Sequence, residues 1–248
     1  VLILIDLADG KQRMGASIIG ECFKQYDSQT PDLDEPERLR ALITAIAGLF
    51  EEGQIQAIHD RSDGGLWACI CEMCFAGHCG ASINLDLLTM DANAADWGDF
   101  KIRPEQVSVQ RHEKTIQALF NEELGVVIQV RKQDRDVVFA VLRTFGLSAF
   151  SHVIGKPNTN GRIEIWRDAK NIFAEPREVL QKMWTNTSYQ IARLRDNPAC
   201  ADSEYALLDD IADPGISPKL TFDAGDDVAA PFISKGVRPK VAILREQG

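Results

Sequence analysis

Residues 57–67, "AIHDRSDGGLW", hold a histidine, two aspartates, an arginine, a serine and two adjacent glycines in one short run. A carboxylate at the end of a strand suits Mg²⁺, a hard cation that takes oxygen ligands and keeps several waters. Asp60 is the candidate ligand. Ser62 offers a hydroxyl that can donate to a phosphate oxygen. Gly64 and Gly65 permit positive φ and the close approach of a bulky anion, and the amide end of a following helix favours negative charge. The chemistry this spacing points to is the holding of a Mg²⁺-nucleotide. An ordinary strand-to-helix turn, in which Ser62 or Asp63 caps the helix, fits the same spacing, and the residues alone leave the two open. His59 reads as a residue that packs or bonds locally, with direct substrate contact as the alternative. Glu122 and Glu123 in "FNEELG" could face a ligand, although acidic residues between a helix and a strand are usually solvated.

A second cluster is Cys69, Cys71, Cys74 and Cys79, with His78 adjacent. Zinc sites usually place C-x-x-C pairs on turns separated by a longer spacer. Here "LWACICEMCFAG" has no turn residue before Gly77 and reads as a helix. Cysteines inside a helix behave as small buried hydrophobes, so the run predicts a core-facing helix. A metal-binding module on Cys69, Cys71, Cys74 and His78 is the lesser alternative. Reduced thiols of this kind fit a cytoplasmic setting more naturally than a disulfide framework.

The loop must be positioned by what surrounds it. "VLILIDL" reads as a strand buried on both faces, and "MGASIIGECFKQYD" spaces its apolar residues as a helix. "DLDEPERLRALITAIAGLFEEG" is a second helix, capped by Asp34, with Pro36 in its first turn and Gly53 after its end. "IQAIH" is the strand that delivers the crowded loop, and the cysteine-bearing helix follows it. "GASINLDL", "LGVVIQV" and "FSHVIG" read as further strands, and "EKTIQALFNEE" and "RDVVFAVLRTFG" as helices. Residues 89–112 carry no sustained period and read as a surface insertion. "GRIEIWRDAKNIFAE" alternates around residues 168–171 and reads as a hairpin. The alternation of strand and helix predicts an α/β (α+β) fold with helices packed on one sheet. From residue 176 a long helix ends at Asn197-Pro198. A Pro-, Gly- and Asp-rich stretch follows, and "KVAIL" then looks like the first strand of a new domain. Both ends suggest a chain cut from something longer.

The 248 residues are 45% hydrophobic and 26% charged, with a formal net charge of −10. That is ordinary globular composition. The acidic balance argues against a nucleic-acid binder, which needs a basic face, but not against nucleotides, which local dipoles and divalent cations hold. No apolar run approaches the roughly 20 residues of a membrane span, and no basic segment precedes an apolar one, so neither a membrane partner nor a signal peptide is expected.

Five stretches, "IHDRSDGGLWACICEMCFAGHCG", "LFNEELGVVIQV", "RLRDNPACADSE", "DPGISPKL" and "RPKVAILREQG", occur in the order found in phosphoribosylformylglycinamidine synthases of the large, single-chain type, and the chain resembles that family along nearly its whole length. The resemblance implies a part of an ATP-dependent ligase of purine biosynthesis. Such an enzyme converts formylglycinamide ribonucleotide, glutamine and ATP to the amidine. Residues 1–175 would be the C-terminal subdomain of an aminoimidazole ribonucleotide synthetase-like unit, 176–236 a helical and irregular linker, and 237–248 the start of a glutaminase domain. The partners implied are the N-terminal synthetase half and the C-terminal glutaminase of the same chain, besides small-molecule substrates. By the same resemblance Asp60 is a Mg²⁺ ligand and Ser62 a contact of ATP or ADP, while no catalytic residue falls within these 248 residues. The chain alone is expected to be inactive. The alternative is a non-catalytic half that holds an auxiliary ADP or serves as scaffold for the glutaminase.

Overall fold

The opening run forms β1 (Leu2–Asp6), buried along its whole length. Its side chains alternate between two apolar cores, Leu2 and Leu4 in one and Ile3 and Ile5 in the other. A strand covered on both faces has no solvent side to mark with polar residues, so the run is continuously apolar. The computed structural model describes residues 1–89, 104–213, 215–233, 235–236 and 240–244. Among them β2 (Ile55–Asp60), β3 (Gly80–Asn84), β4 (Gly125–Val130), β5 (Ser151–Asn158), β6 (Arg162–Arg167) and β7 (Lys170–Pro176) join β1 in one seven-stranded sheet, in the order β2-β4-β1-β5-β3-β6-β7. β3 and β6 run parallel; the other neighbours are antiparallel.

Helices cover the sheet from both sides. On one, α3 (Gly65–Gly77) sets Leu66, Cys69, Ile70, Cys71, Cys74 and Phe75 against β1, β3 and β6, with Leu119 of α5 (Pro104–Phe120) beside them. On the other, Leu42, Ala45 and Leu49 of α2 (Pro36–Glu51) and Val138 and Leu142 of α6 (Arg135–Thr144) pack on Ile3, Ile5 and Ile128. The expected mixed α/β fold is the one observed. Cys69, Cys71 and Cys74 are core residues, and burial pushes the thiols of Cys69 and Cys71 up to about 12. His78 forms the left-handed cap of α3, and among the described residues no group of three or more His, Cys, Asp or Glu is placed to hold a metal ion.

Several local expectations are corrected. The helix read from Met14 shrinks to α1 (Ile18–Phe23), none of whose residues is buried, because Gly15 bonds instead to the carbonyl of Gln29 at 2.7 Å. α2 has Pro36 at its start and Gly53 just beyond its end, but Asp34 does not cap it. That carboxylate pairs with Lys11 at 3.1 Å and Arg13 at 2.9 Å. The strand read through "GASINLDL" stops at Asn84, and α4 (Asp86–Thr89) follows. Residues 104–112, placed in an insertion, form the first half of α5; residues 90–103 lie outside the described ones. The hairpin of β6 and β7 turns on Asp168 and Ala169, both at positive φ (53° and 56°), as a two-residue turn matched to strand twist requires.

α7 (Arg177–Arg195) follows β7 directly, and α8 (Pro198–Leu207) starts on Asn197, whose side-chain oxygen accepts from the Ala199 amide at 3.0 Å. Tyr189 stacks on Tyr205 with ring centres 4.1 Å apart, which joins the two helices. The chain divides into a compact unit over Val1–Ile211 and a second over Ala212–Gly248. In the second, the described residues form turns and one short 3-10 turn at Ala230–Phe232. Residues 240–244, read as a strand, carry no strand there; a strand needs a neighbour to satisfy its backbone. No helix among the described residues is long and apolar enough to cross a membrane.

One carboxylate in the sheet gives a pH prediction. Glu164 on β6 accepts from Ser82 at 2.9 Å, Trp166 at 3.2 Å and Asn160 at 3.0 Å, and these bonds hold its pKa below the ordinary glutamate value. A group depressed on folding contributes stability that is present above its unfolded pKa and lost as pH falls through the folded one. Urea midpoints of Glu164→Gln and the parent should therefore converge as the pH is taken below 4; midpoints separated by the same amount at every pH would contradict this.

Candidate functional site

β2 is an edge strand that ends at Asp60, and its pairing runs one residue further, with the Arg61 amide donating to the Gly125 carbonyl at 2.8 Å. Side chains alternate along an extended chain, so Arg61 points one way and Asp60 and Ser62 the other. Arg61 goes inward. It is 5% exposed and donates to Asp6 at 2.5 Å, to the Glu123 carbonyl at 2.6 Å and to the Leu124 carbonyl at 3.2 Å. Asp6 also accepts from the amides of Ala8 and Gly10. A buried guanidinium whose donors meet a carboxylate and two carbonyls is a fixed anchor rather than a free cation.

The two glutamates behave differently from the solvated pair expected. Glu123 is fully buried and accepts three bonds from Arg13, from its amide at 3.1 Å, Nε at 2.6 Å and Nη2 at 2.7 Å. Glu122 accepts from the amides of Gly64 and Ile18, each at 2.9 Å, and so ties the start of α3 to the start of α1. Gly64 and Gly65 both have positive φ, 80° and 66°, so both serve the turn.

Asp60, Ser62, Asp63 and Glu122 line a cleft of about 500 Å³ together with Gly15 and Thr30. The Asp60 side chain is 72% exposed, and its ion-pair partner among the described residues is the imidazole of His59, 3.5 Å away. Ser62 and Asp63 are exposed, with no side-chain hydrogen bond among the described residues. The residue that caps α3 is Gly64, so neither Ser62 nor Asp63 is used as a cap. The glycine amides are not free either: Gly64 donates to Glu122, and Gly65 to the Ser62 carbonyl at 2.9 Å. The side chains this loop leaves open are a carboxylate at 60, a hydroxyl at 62 and a carboxylate at 63.

That donor set fits Mg²⁺ of the kind carried by a polyphosphate, which takes one or two protein carboxylates and fills its shell with phosphate oxygens and water. It does not supply an all-protein metal cage. His59 lies apart from this cleft. Its ring nitrogens meet the Asp60 carbonyl at 2.7 Å and Glu72 at 3.0 Å, which is local bonding. The sequence reading passed over Asp6, Arg13 and Arg61 as positioning residues. The available signal was Asp6, a carboxylate closing an otherwise apolar buried strand, which requires a buried partner.

This mixed sheet with helices on both faces has its counterpart in a known family, the AIR synthase related protein, C-terminal domain. Residues 1–167 match that family, and the chain belongs to it. Among solved structures it is similar to Thermotoga maritima PurL complexed with ATP (TM-score 0.50, 16% identity, covering 73% of this chain and 25% of that one). The structure of PurLQS from Thermotoga maritima is matched at the same TM-score of 0.50 and 16% identity, again over 73% of this chain and 25% of that one. E. coli HypE, a hydrogenase maturation protein, matches at a TM-score of 0.41 and 18% identity over 69% of this chain and 47% of that one. The chain spans about a quarter of the length of the PurL chains.

Proposed function

We propose that this chain is part of an ATP-dependent ligase, a phosphoribosylformylglycinamidine synthase of the large single-chain type, and that the cleft at the end of β2 holds a Mg²⁺-nucleotide. The observation that carries the reading is the split at residues 60–62. Arg61 is locked inward, so Asp60 and Ser62 face the cleft exposed, with no lysine or arginine paired to Asp60 and no capping bond from Ser62 among the described residues. Bound Mg²⁺ would neutralise charge on the nucleotide phosphates. Asp60 would supply a carboxylate oxygen to the cation and Ser62 a hydroxyl bond to a phosphate oxygen. The likeness to a PurL solved with ATP supports the reading at the level of fold.

The nucleotide held there is either the reacting ATP or an auxiliary ADP. The glutaminase start at 237–248, the linker over 176–236 and the partner halves of the same chain belong to this proposal. The test is nucleotide retention after desalting, with and without chelator, in the full-length protein, and titration of Mg²⁺-ADP into the purified chain. Asp60→Asn should weaken Mg²⁺-dependent binding at least tenfold, about 1.4 kcal/mol, and Ser62→Ala by a smaller factor. Parent-like affinity in both variants, with parent-like melting, would refute the assignment.

A further inference from the structure

Helix α3 ends in a turn that sets two cysteines against each other. His78 is left-handed (φ 46°), the Cys79 amide donates to the Cys74 carbonyl at 3.3 Å, and the His78 amide donates to the Phe75 carbonyl at 3.4 Å. This pair of bonds is the Schellman arrangement, in which the residues joined by the outer bond commonly make an apolar contact. Here the residues at those two positions are Cys74 and Cys79. Gly77 keeps the turn open, since a Cβ there would stand 3.3 Å from the Cys79 sulfur. The 3.3 Å bond from the Cys79 amide to the Cys74 carbonyl holds the two backbones together at these positions, and a disulfide spans Cα atoms roughly 4.4–6.8 Å apart.

The surroundings differ for the two sulfurs. Cys74 is buried in the core and Cys79 is half-buried, and both line a cavity of about 670 Å³ shared with Met73, Gln181 and Trp184. Small solutes reach Cys79 first. The buried Arg177 at the start of α7 favours negative charge on both sulfurs. The other titratable groups lining the cavity, His59 and Glu72, are paired with each other at 3.0 Å.

We propose that Cys74 and Cys79 are a peroxide-sensitive thiol pair, with Cys79 the attacking thiolate and Cys74 the resolving thiol, which closes to a reversible disulfide across the C-terminal turn of α3. A reactive cysteine needs thiolate character, access and a resolving partner. Cys79 meets them by position: it is half-buried on the cavity, and Cys74 stands at the paired position of the turn, while neighbouring Cys74 and, against burial, Arg177 lower its pKa and that of Cys74 is raised. Cys69 and Cys71 are buried with their thiols held protonated, and Cys22 and Cys200 lie on the surface.

The chemistry balances with hydrogen peroxide as oxidant. The Cys79 thiolate attacks one peroxide oxygen; an S–O bond forms, the O–O bond breaks, and hydroxide leaves and takes a proton to become water. The Cys74 sulfur, giving up its proton, then attacks the Cys79 sulfenic sulfur. The S–S bond forms, the S–O bond breaks, and the departing hydroxide carries that proton away as a second water. Two thiols lose two electrons and one peroxide gains them. Two equivalents of an external thiol reverse the step by exchange.

The test uses the whole chain and needs no assumption about the nucleotide cleft. Hydrogen peroxide is added in slight excess, remaining thiols are alkylated after unfolding, and fragment masses locate the bond. Protection of Cys74 and Cys79 alone, reversed by dithiothreitol, is the expected result. Cys74→Ser should instead stop at a sulfenic acid on Cys79 that dimedone captures, with melting behaviour showing that the variant is folded. In the untreated protein near neutral pH, iodoacetamide should modify Cys79 severalfold faster than Cys22 or Cys200, since the greater thiolate fraction outweighs the lower nucleophilicity. A bond between other cysteines, no bond at all, or a Cys79 no more reactive than Cys22 and Cys200 would each overturn the proposal.

Discussion

Arg61→Met should destabilise the chain by about 3–5 kcal/mol, because it leaves the Asp6 carboxylate charged, buried and without its cation. At roughly 2–4 °C per kcal/mol for a domain of this size, the melting temperature should fall by about 6–20 °C. The side chain of Arg61 is 3% exposed and that of Asp6 10%, so water cannot replace the lost partner. The carbonyls of Glu123 and Leu124 lose their donor as well. The control is a double-mutant cycle. Asp6→Asn removes the charge and keeps one oxygen, which can accept from the Ala8 or the Gly10 amide but not both, since these bond different carboxylate oxygens. Combined with Arg61→Met it should cost clearly less than the sum of the two single changes. Additive costs in urea unfolding would mean that the pair is not an energetic unit, and the account of how residues 60 and 62 are turned outward would fail with it.

What could be read from the sequence follows the distinction this network makes. The strands and the larger helices were legible because their apolar period is a direct record of burial: β1 between two cores, the core face of α3 with its cysteines, and the hairpin of β6 and β7, read around residues 168–171 without its two-residue turn. Asp60 and Ser62 were legible as candidates because a carboxylate and a hydroxyl beside two glycines form a local pattern. The network was not legible. Arg13, Glu123, Asp6 and Arg61 meet across separations of 110 and 55 residues, and no local spacing records such pairing. For the same reason Glu122 and Glu123 read as solvated neighbours, although one is fully buried and the other bonds two backbone amides. The first half of α5 was missed because the polar "EQVSVQRH" gives a weak apolar stripe, and helix existence there is set by its surroundings.

Gly65 is where the turn and the packing make demands on one atom, and Gly65→Ala should cost roughly 2–5 kcal/mol. Two effects add. An L-residue at a φ of 66° pays about 1–2 kcal/mol for the left-handed region. The new Cβ would also lie 2.6 Å from the Asn121 carbonyl oxygen and 2.8 Å from both the Leu119 oxygen and the Phe120 carbonyl carbon. These are backbone atoms around the end of α5, which cannot rotate away as a side chain would, and overpacking of this kind costs about 1–3 kcal/mol. Gly53 separates the two effects. It has a φ of 65°, and a Cβ there would meet nothing within 4 Å, so Gly53→Ala should show the backbone cost alone, about 1–2 kcal/mol. Because α3 would have to move away from α5, Gly65→Ala should also shift the Gly64 amide from Glu122, and with it the loop bearing Asp60 and Ser62. Mg²⁺-ADP affinity should therefore fall in Gly65→Ala and stay at the parent value in Gly53→Ala. Equal losses of stability in the two variants, measured by urea unfolding, would mean that α3 has room to move, and that the close approach of α3 to α5 does not set the position of the loop.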